Sequence, residues 1–262
     1  MKGRAGVDIK VIVATHKKYS MPSDPMYLPL HVGREGKEDL GLTGDNTGEN
    51  ISIKNPRFCE LTGIYWAWKN LDGDYIGLSH YRRYFSYKKG KDKFDSVLSY
   101  SQAKDLLGDV DVLVPKIRNY YIETVYSHYS HTFHNEDLDV TREIIHEKHP
   151  DYIRAFDELM KGRKVHLFNM FIMKRELFDG YCEWLFDILF ELENRLDISS
   201  YSVFEARVYG RVSELLLDVY LNTNGIRYKE VPVIYMEKIN WYRKITGFLK
   251  AKFFGVKYKQ SF

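Results

Sequence analysis

At 262 residues the chain can bury one large core or two small ones, and with only Cys59 and Cys182 it is no disulfide-stapled scaffold, so a reducing, cytoplasmic setting is expected. No run reaches the roughly 18 apolar residues that crossing a membrane requires, which leaves a soluble or peripheral protein. The net charge is only +3, but there are 21 tyrosines, and rings with polar tips suit polar, ring-shaped ligands such as sugars as well as ordinary packing.

The N-terminal segment MKGRAGVDIKVIVATHK is too short and too interrupted in its apolar part for a signal peptide and reads as a first core strand, Ile9 to Ala14. Thr15, His16 and Lys17 follow it directly, at the position where mononucleotide-binding α/β folds contact base or ribose, and are expected in a nucleotide site. A long polar loop then runs to Asn50. Its stretch GDNTGEN, from Gly44 to Asn50, is rich in residues that turn sharply and bond hydroxyls, which makes Asp45, Asn46 and Asn50 candidate donor contacts. Neither GxGxxG nor GxxxxGK[ST] occurs, so Rossmann-type dinucleotide binding and P-loop chemistry lose their sequence support.

Asn55 can cap a helix and Pro56 suits its first turn, and Leu61, Ile64, Tyr65 and Trp68 share a face, which predicts a helix from Asn55 to Asn70. Asp72 and Gly73 turn the chain into a short buried strand, Tyr75 to Leu78. His80, Tyr81, Arg82 and Arg83 emerge at its C-terminal end, the edge of an open α/β sheet where ligands bind. Two guanidinium groups there can hold phosphate oxygens bidentately; the competing reading is a pair of exposed ion-pairing arginines.

A helix Ser101–Leu107 and a strand Val110–Val114, stopped by Pro115, continue the alternation. Residues from Glu123 to Met160 read as helical, with Pro150 separating Leu138–His149 from Asp151–Met160. Within them HYSHTFH places His128, His131 and His134 three apart. On a helix the first and third point apart, so a substrate contact, assigned to His134, is favoured over zinc. A strand Phe168–Met173 carries Asn169, an amide that needs a partner if buried and can serve a ligand hydroxyl. Helices Arg175–Glu193 and Val203–Asn222 follow. On the second, Arg211 and Glu214 at spacing three form either an ion pair or a sugar contact and a general base. Glu230–Tyr235, with Pro232 inside it, reads as an edge strand. The fold class is α/β: one domain over residues 1–237, a mixed, mostly parallel sheet flanked by helices.

Residues 238–262 form a separate tail. Its seven cations, from Lys238 to Lys259, come without an acid, and removing those seven from +3 leaves the rest of the chain at −4. Trp241, Phe248, Phe253 and Phe254 are interleaved with them, which predicts a basic amphipathic helix on an anionic membrane surface; no nucleic-acid-binding motif accompanies it.

The ordered motifs DNTGEN, NPRFCELTGIYWAWKN, DYIGLSHYRRYF, HLFNMFIMKRELFDGYCEWLFDILFELE and RVYGRVSELL together resemble the bacterial capsular and exopolysaccharide glycosyltransferases long catalogued as a domain of unknown function. The resemblance runs from about Ile9 to Glu237. It implies a GT-A-like enzyme, peripheral on the inner face of the plasma membrane, that moves a hexose, such as a galactosyl or galactofuranosyl unit, from a UDP-sugar to a lipid-linked saccharide. The positions it marks are Asp45, Asn46, Gly48, Asn50, Asn55, Glu60, His80 to Arg83, Asn169, Arg211 and Glu214. His80 and Glu214 are taken as catalytic. Many GT-A enzymes hold manganese or magnesium on an acidic DxD pair. The corresponding strand end here is basic, which leaves a divalent cofactor open and gives the arginines the diphosphate. A non-catalytic sugar or nucleotide-sugar binding module is the alternative.

Overall fold

Ile9–Thr15 (β1) is buried along nearly its whole length, as expected of a strand covered on both faces. It pairs in parallel with Tyr27–His31 (β2), which carries Thr43–Gly44 (β3) on its outer side, and with Tyr75–His80 (β4). The structure, a computed structural model, describes residues 6–87 and 90–237. From β4 the chain turns tightly into Arg83–Phe85 (β5). Val112–Pro115 (β6) follows, and the short strand Arg118–Asn119 (β7) makes a two-stranded ribbon with Lys164–Val165 (β8). Phe171–Lys174 (β9), Tyr228–Val231 (β10) and Val233–Tyr235 (β11) complete the strands.

The main sheet has the order β10-β6-β9-β4-β1-β2-β3, with β5 and β11 branching from β4. Along that path only β9 runs against the others, so the sheet is mixed and mostly parallel. The helices are Asn55–Phe58 (α1), Leu61–Asn70 (α2), Tyr100–Leu107 (α3), Val125–Ser130 (α4), Glu136–Lys148 (α5), Ile153–Lys161 (α6), Arg175–Arg195 (α7) and Val208–Thr223 (α8). The chain divides into two compact units. The first runs to Lys116 and takes in Phe168–Trp184 and Ile226–Met236, hence the whole main sheet; the second comprises Ile117–Leu167 and Leu185–Gly225.

In the first unit Val11, Val13, Tyr84, Phe85, Leu98, Leu113 and Ile172 are buried in one cluster, each such side chain contributing about 1.5–3 kcal/mol on leaving water. Ser99 starts α3 with a capping box to Gln102. In the second unit Leu138, Ile144, Phe156, Leu189, Leu216 and Val219 form the apolar interior.

The elements depart from the sequence pattern where local chemistry overrides it. The polar loop before Asn50 contains β2 and β3, hidden by Pro29. Val32 N–H donates to Thr15 O on the β1 side, while His31 O accepts from Asp45 N–H on the other. Alternation puts Pro29 on that second side, where β3 reaches only Leu30 and His31, so no ladder bond is lost. The helix expected over Asn55–Asn70 is broken at Cys59 (φ 54°) into α1 and α2. The strand expected from Phe168 starts at Phe171, because Phe168 (φ 80°) and Asn169 (φ 53°) are not extended. The helix expected from Val203 starts at Val208, and Pro232 separates β10 from β11. The basic tail and its expected helix lie outside the described residues.

Candidate functional site

The C-terminal ends of β1, β2 and β4 line up, with Ala14 beside His80 and Thr15 beside His31. Thr15 is buried; its hydroxyl donates to Lys17 O (2.6 Å), tightening the turn that leaves His16 and Lys17 exposed at this edge. Burial, reinforced by Arg34 and Lys37, lowers the pKa of His31 and keeps it neutral. The sequence reading missed His31 because β2 itself was hidden.

His80 ends β4, Tyr81 and Arg82 form the turn, and Arg83 begins β5. Tyr81 N–H donates to Ala14 O, and the buried ring of Tyr81 meets His16 and Tyr19 edge-on at 5.3 and 5.1 Å. Lys17 Nζ and the Arg82 guanidinium each lie 5.2 Å from that ring's centroid. The turn thus gathers an aromatic body edged by cations, able to take a planar base and an anionic group together.

His80 Nε2 donates to Phe168 O over 2.7 Å, which leaves Nδ1 as the acceptor nitrogen of the neutral ring. Burial lowers its pKa; Glu60 acts against that shift, and Arg83 adds to it. Asn169 Nδ2 donates to Glu60 Oε1 (2.8 Å), and Arg83 stacks over Phe168 and Tyr235 at 4.7 and 5.7 Å. Thr15, His16, Lys17, His80 to Arg83 and Asn169 therefore share the first unit with Glu60.

The GDNTGEN loop is internally braced. The buried Asp45 carboxylate accepts from Gly33 N–H (2.7 Å), Arg34 N–H (3.0 Å), Ser52 Oγ (2.5 Å) and Thr62 Oγ1 (2.5 Å), which fills its acceptor sites. Asp45 thus holds the loop rather than offering a free carboxylate to a donor. Asn46 reaches Glu35, and Asn50 spans Gly48 O and Ser52 N–H. Gly48 adopts φ +57° against Asn70, whose amide donates to Glu49 O, so a side chain there is excluded by both conformation and space.

The other candidates belong to the second unit. The Arg211 guanidinium lies over the adjoining rings of Phe133 and Phe204, 4.0 and 4.6 Å from their centroids, and donates to Glu205 O (2.9 Å) and Phe204 O. His134 meets Glu205 (3.1 Å) and stacks on Tyr201, whose hydroxyl donates to the buried Asp137. Arg211 and His134 thus strap the segment before α8. Glu214 is half-buried on α8 and adds to the burial that raises the Tyr120 pKa. His128 and His131 turn to Glu123, at 3.2 and 2.9 Å. Among the described residues no group of three or more His, Cys, Asp or Glu is placed to hold a metal ion, and none of their helices is long and apolar enough to cross a membrane.

Residues 10–225 match the family described as "Domain of unknown function (DUF4422)". The chain belongs to that family. The DUF4422 chain is also similar to a solved structure, WbbM, described as a bifunctional glycosyltransferase in its apo form, with 28% identity and a TM-score of 0.83. The similarity covers 88% of this chain and 46% of WbbM, so the DUF4422 chain spans less than half of that protein. No protein of curated function matches it. Its α/β architecture is thus that of a glycosyltransferase.

Proposed function

We propose that the chain is a glycosyltransferase that takes a hexose from a UDP-sugar to a hydroxyl of a lipid-linked saccharide, in the assembly of a bacterial surface polysaccharide. The observation that carries this reading is the basic, aromatic end of β4 beside the end of β1, within a fold similar to a glycosyltransferase. The uracil lies against the exposed His16 ring, which the buried Tyr81 backs, with Lys17 at its edge. Arg82 and Arg83 take the diphosphate, and their fixed charges stabilise the negative charge that develops as the sugar leaves. The basic aromatic tail, residues 238–262, holds the enzyme to anionic lipid near its acceptor.

Calorimetry with UDP in metal-free buffer, and again with manganese, tests the donor site, and a transfer assay with lipid-linked acceptors tests the reaction. Metal-free UDP binding together with sugar transfer supports the reading. Binding without turnover on any acceptor replaces it with a nucleotide-sugar binding module, and absence of both binding and transfer overturns it. Vesicle sedimentation that does not respond to anionic lipid removes the tail's role.

A further inference from the structure

Three of the four described non-glycine residues with positive φ gather on one hydrogen bond. Cys59 (φ 54°) immediately precedes Glu60, and Phe168 (φ 80°) immediately precedes Asn169 (φ 53°), whose amide donates to Glu60 Oε1. Side chains seldom occupy the left-handed region, and strain of this kind persists only where the surrounding structure holds it, most often at functional sites.

What the strained backbone delivers is visible in the contacts. The kink at Cys59 ends α1 and restarts the chain as α2, with Glu60 as the residue at its N-terminus. The Phe168–Asn169 twist turns the Phe168 carbonyl to His80 Nε2 and the Asn169 amide to Glu60, two residues 109 apart in sequence. A carboxylate, an amide and a neutral imidazole therefore meet at the end of β4, beside Arg82 and Arg83. Part of the kink has a local explanation, since Cys59 O accepts from Asn55 Nδ2. That does not account for the second strained pair, and Asn169 meets Oε1 of a Glu60 side chain that is only half-buried.

We infer that Glu60 is the general base of the transfer, a residue outside the pair His80 and Glu214 expected from the sequence; this rests on the glycosyl-transfer reading above. Glu60 Oε2 removes the proton of the acceptor hydroxyl as that oxygen forms its bond to the anomeric carbon. The bond from that carbon to the β-phosphate oxygen breaks, and its electron pair leaves on the diphosphate against Arg82 and Arg83. The proton passes from Glu60 to water, and the anomeric centre is inverted. Asn169 and His80 are positioning residues. Glu60 shares the first unit with Arg82 and Arg83.

The test compares wild type with Glu60→Gln and Glu60→Asp in transfer from UDP-sugar, alongside calorimetric UDP binding and thermal unfolding. Glu60→Gln is expected to lower kcat at least a hundredfold, in line with the usual worth of a general base, with UDP affinity within twofold of wild type and the acid limb of the kcat–pH profile lost. Glu60→Asp keeps the carboxylate but draws it back, so kcat falls at least tenfold while the acid limb stays; this variant decides the matter where Glu60→Gln does not fold. Wild-type kcat in either variant, or loss of the acid limb on Glu214→Gln with Glu60→Gln unimpaired, overturns the assignment. A wild type that neither binds UDP nor transfers sugar fails for the earlier reason, because it removes the reaction itself.

Discussion

The guanidinium of Arg83 lies 4.7 Å from the ring centroid of Phe168, the same residue whose carbonyl holds His80. One strained residue therefore sets both the cation and the imidazole at the end of β4. Stacking on an aromatic face fixes the plane of a guanidinium without using all of its N–H donors, so the Arg83 charge is oriented before a ligand arrives.

Replacing Arg82 and Arg83 together by Ala should therefore weaken UDP binding, with thermal unfolding of the variant checking that the fold persists, since both side chains are only half-buried at the turn. Hydrogen bonds to charged groups are worth about 1.5–3 kcal/mol each, so the dissociation constant should rise on the order of a hundredfold or more. Calorimetry reads this directly. Unchanged affinity in the double variant removes the arginines from the donor site.

Asp45 yields the opposite pattern. Asp45→Ala leaves two backbone N–H groups and the hydroxyls of Ser52 and Thr62 without their acceptor. Buried donors left unsatisfied cost about 1–3 kcal/mol each and are not additive, so a loss of roughly 4 kcal/mol is expected, or on the order of 10 °C in Tm. Any fall in UDP affinity should follow the loosened loop. Differential scanning calorimetry showing wild-type Tm, with UDP binding lost, would make Asp45 a direct ligand contact instead.

His80 makes stability depend on pH in a defined direction. Burial lowers its pKa below the ordinary 6.5, so as pH falls the unfolded chain takes up the proton first. The stability gained by burying the neutral ring is fully present above about 6.5 and is lost as pH falls towards and through the folded value. His31 and His128 shift the same way. The slope per uncoupled proton is about 1.4 kcal/mol per pH unit. His80→Gln keeps a donor for Phe168 O but cannot titrate, so its Tm should fall less between pH 7 and 5 than that of wild type. Parallel curves sink this account.

Which parts of the molecule were legible in the sequence follows from what each signal encodes. β1, β4 and β6 are short apolar runs closed by Thr15, His80 and Pro115, and periodicity finds such runs. α5 and α6 are separated where Pro150 requires it. β2 was hidden because a proline argues against a strand until its neighbours are known, and β3 is two residues long. The strain at Cys59 and Phe168 has no sequence signal, since neither is a residue type that favours positive φ, whereas Asn169 is of a type that enters the left-handed region more readily. The two segments that meet through Glu60 and Asn169 are brought together only by the fold. The resemblance marked both positions but gave Glu60 no role, which comes from the geometry.

Arg211, expected as a sugar contact, should behave as a strap. Its guanidinium lies over the adjoining rings of Phe133 and Phe204 and closes on the carbonyls of Phe204 and Glu205, while Ala206 N–H bonds Ser202 O in the same segment. Lysine has one ammonium and no plane, so Arg211→Lys cannot make the stack and both bonds at once. The variant should lose about 1–3 kcal/mol of stability, and the amide of Ala206 should exchange with solvent on the order of ten- to a hundredfold faster, because the segment opens locally. Hydrogen exchange read at that amide separates the two roles. Faster exchange without acceptor confirms the strap, whereas unchanged exchange with a raised KM for acceptor alone returns Arg211 to the sugar.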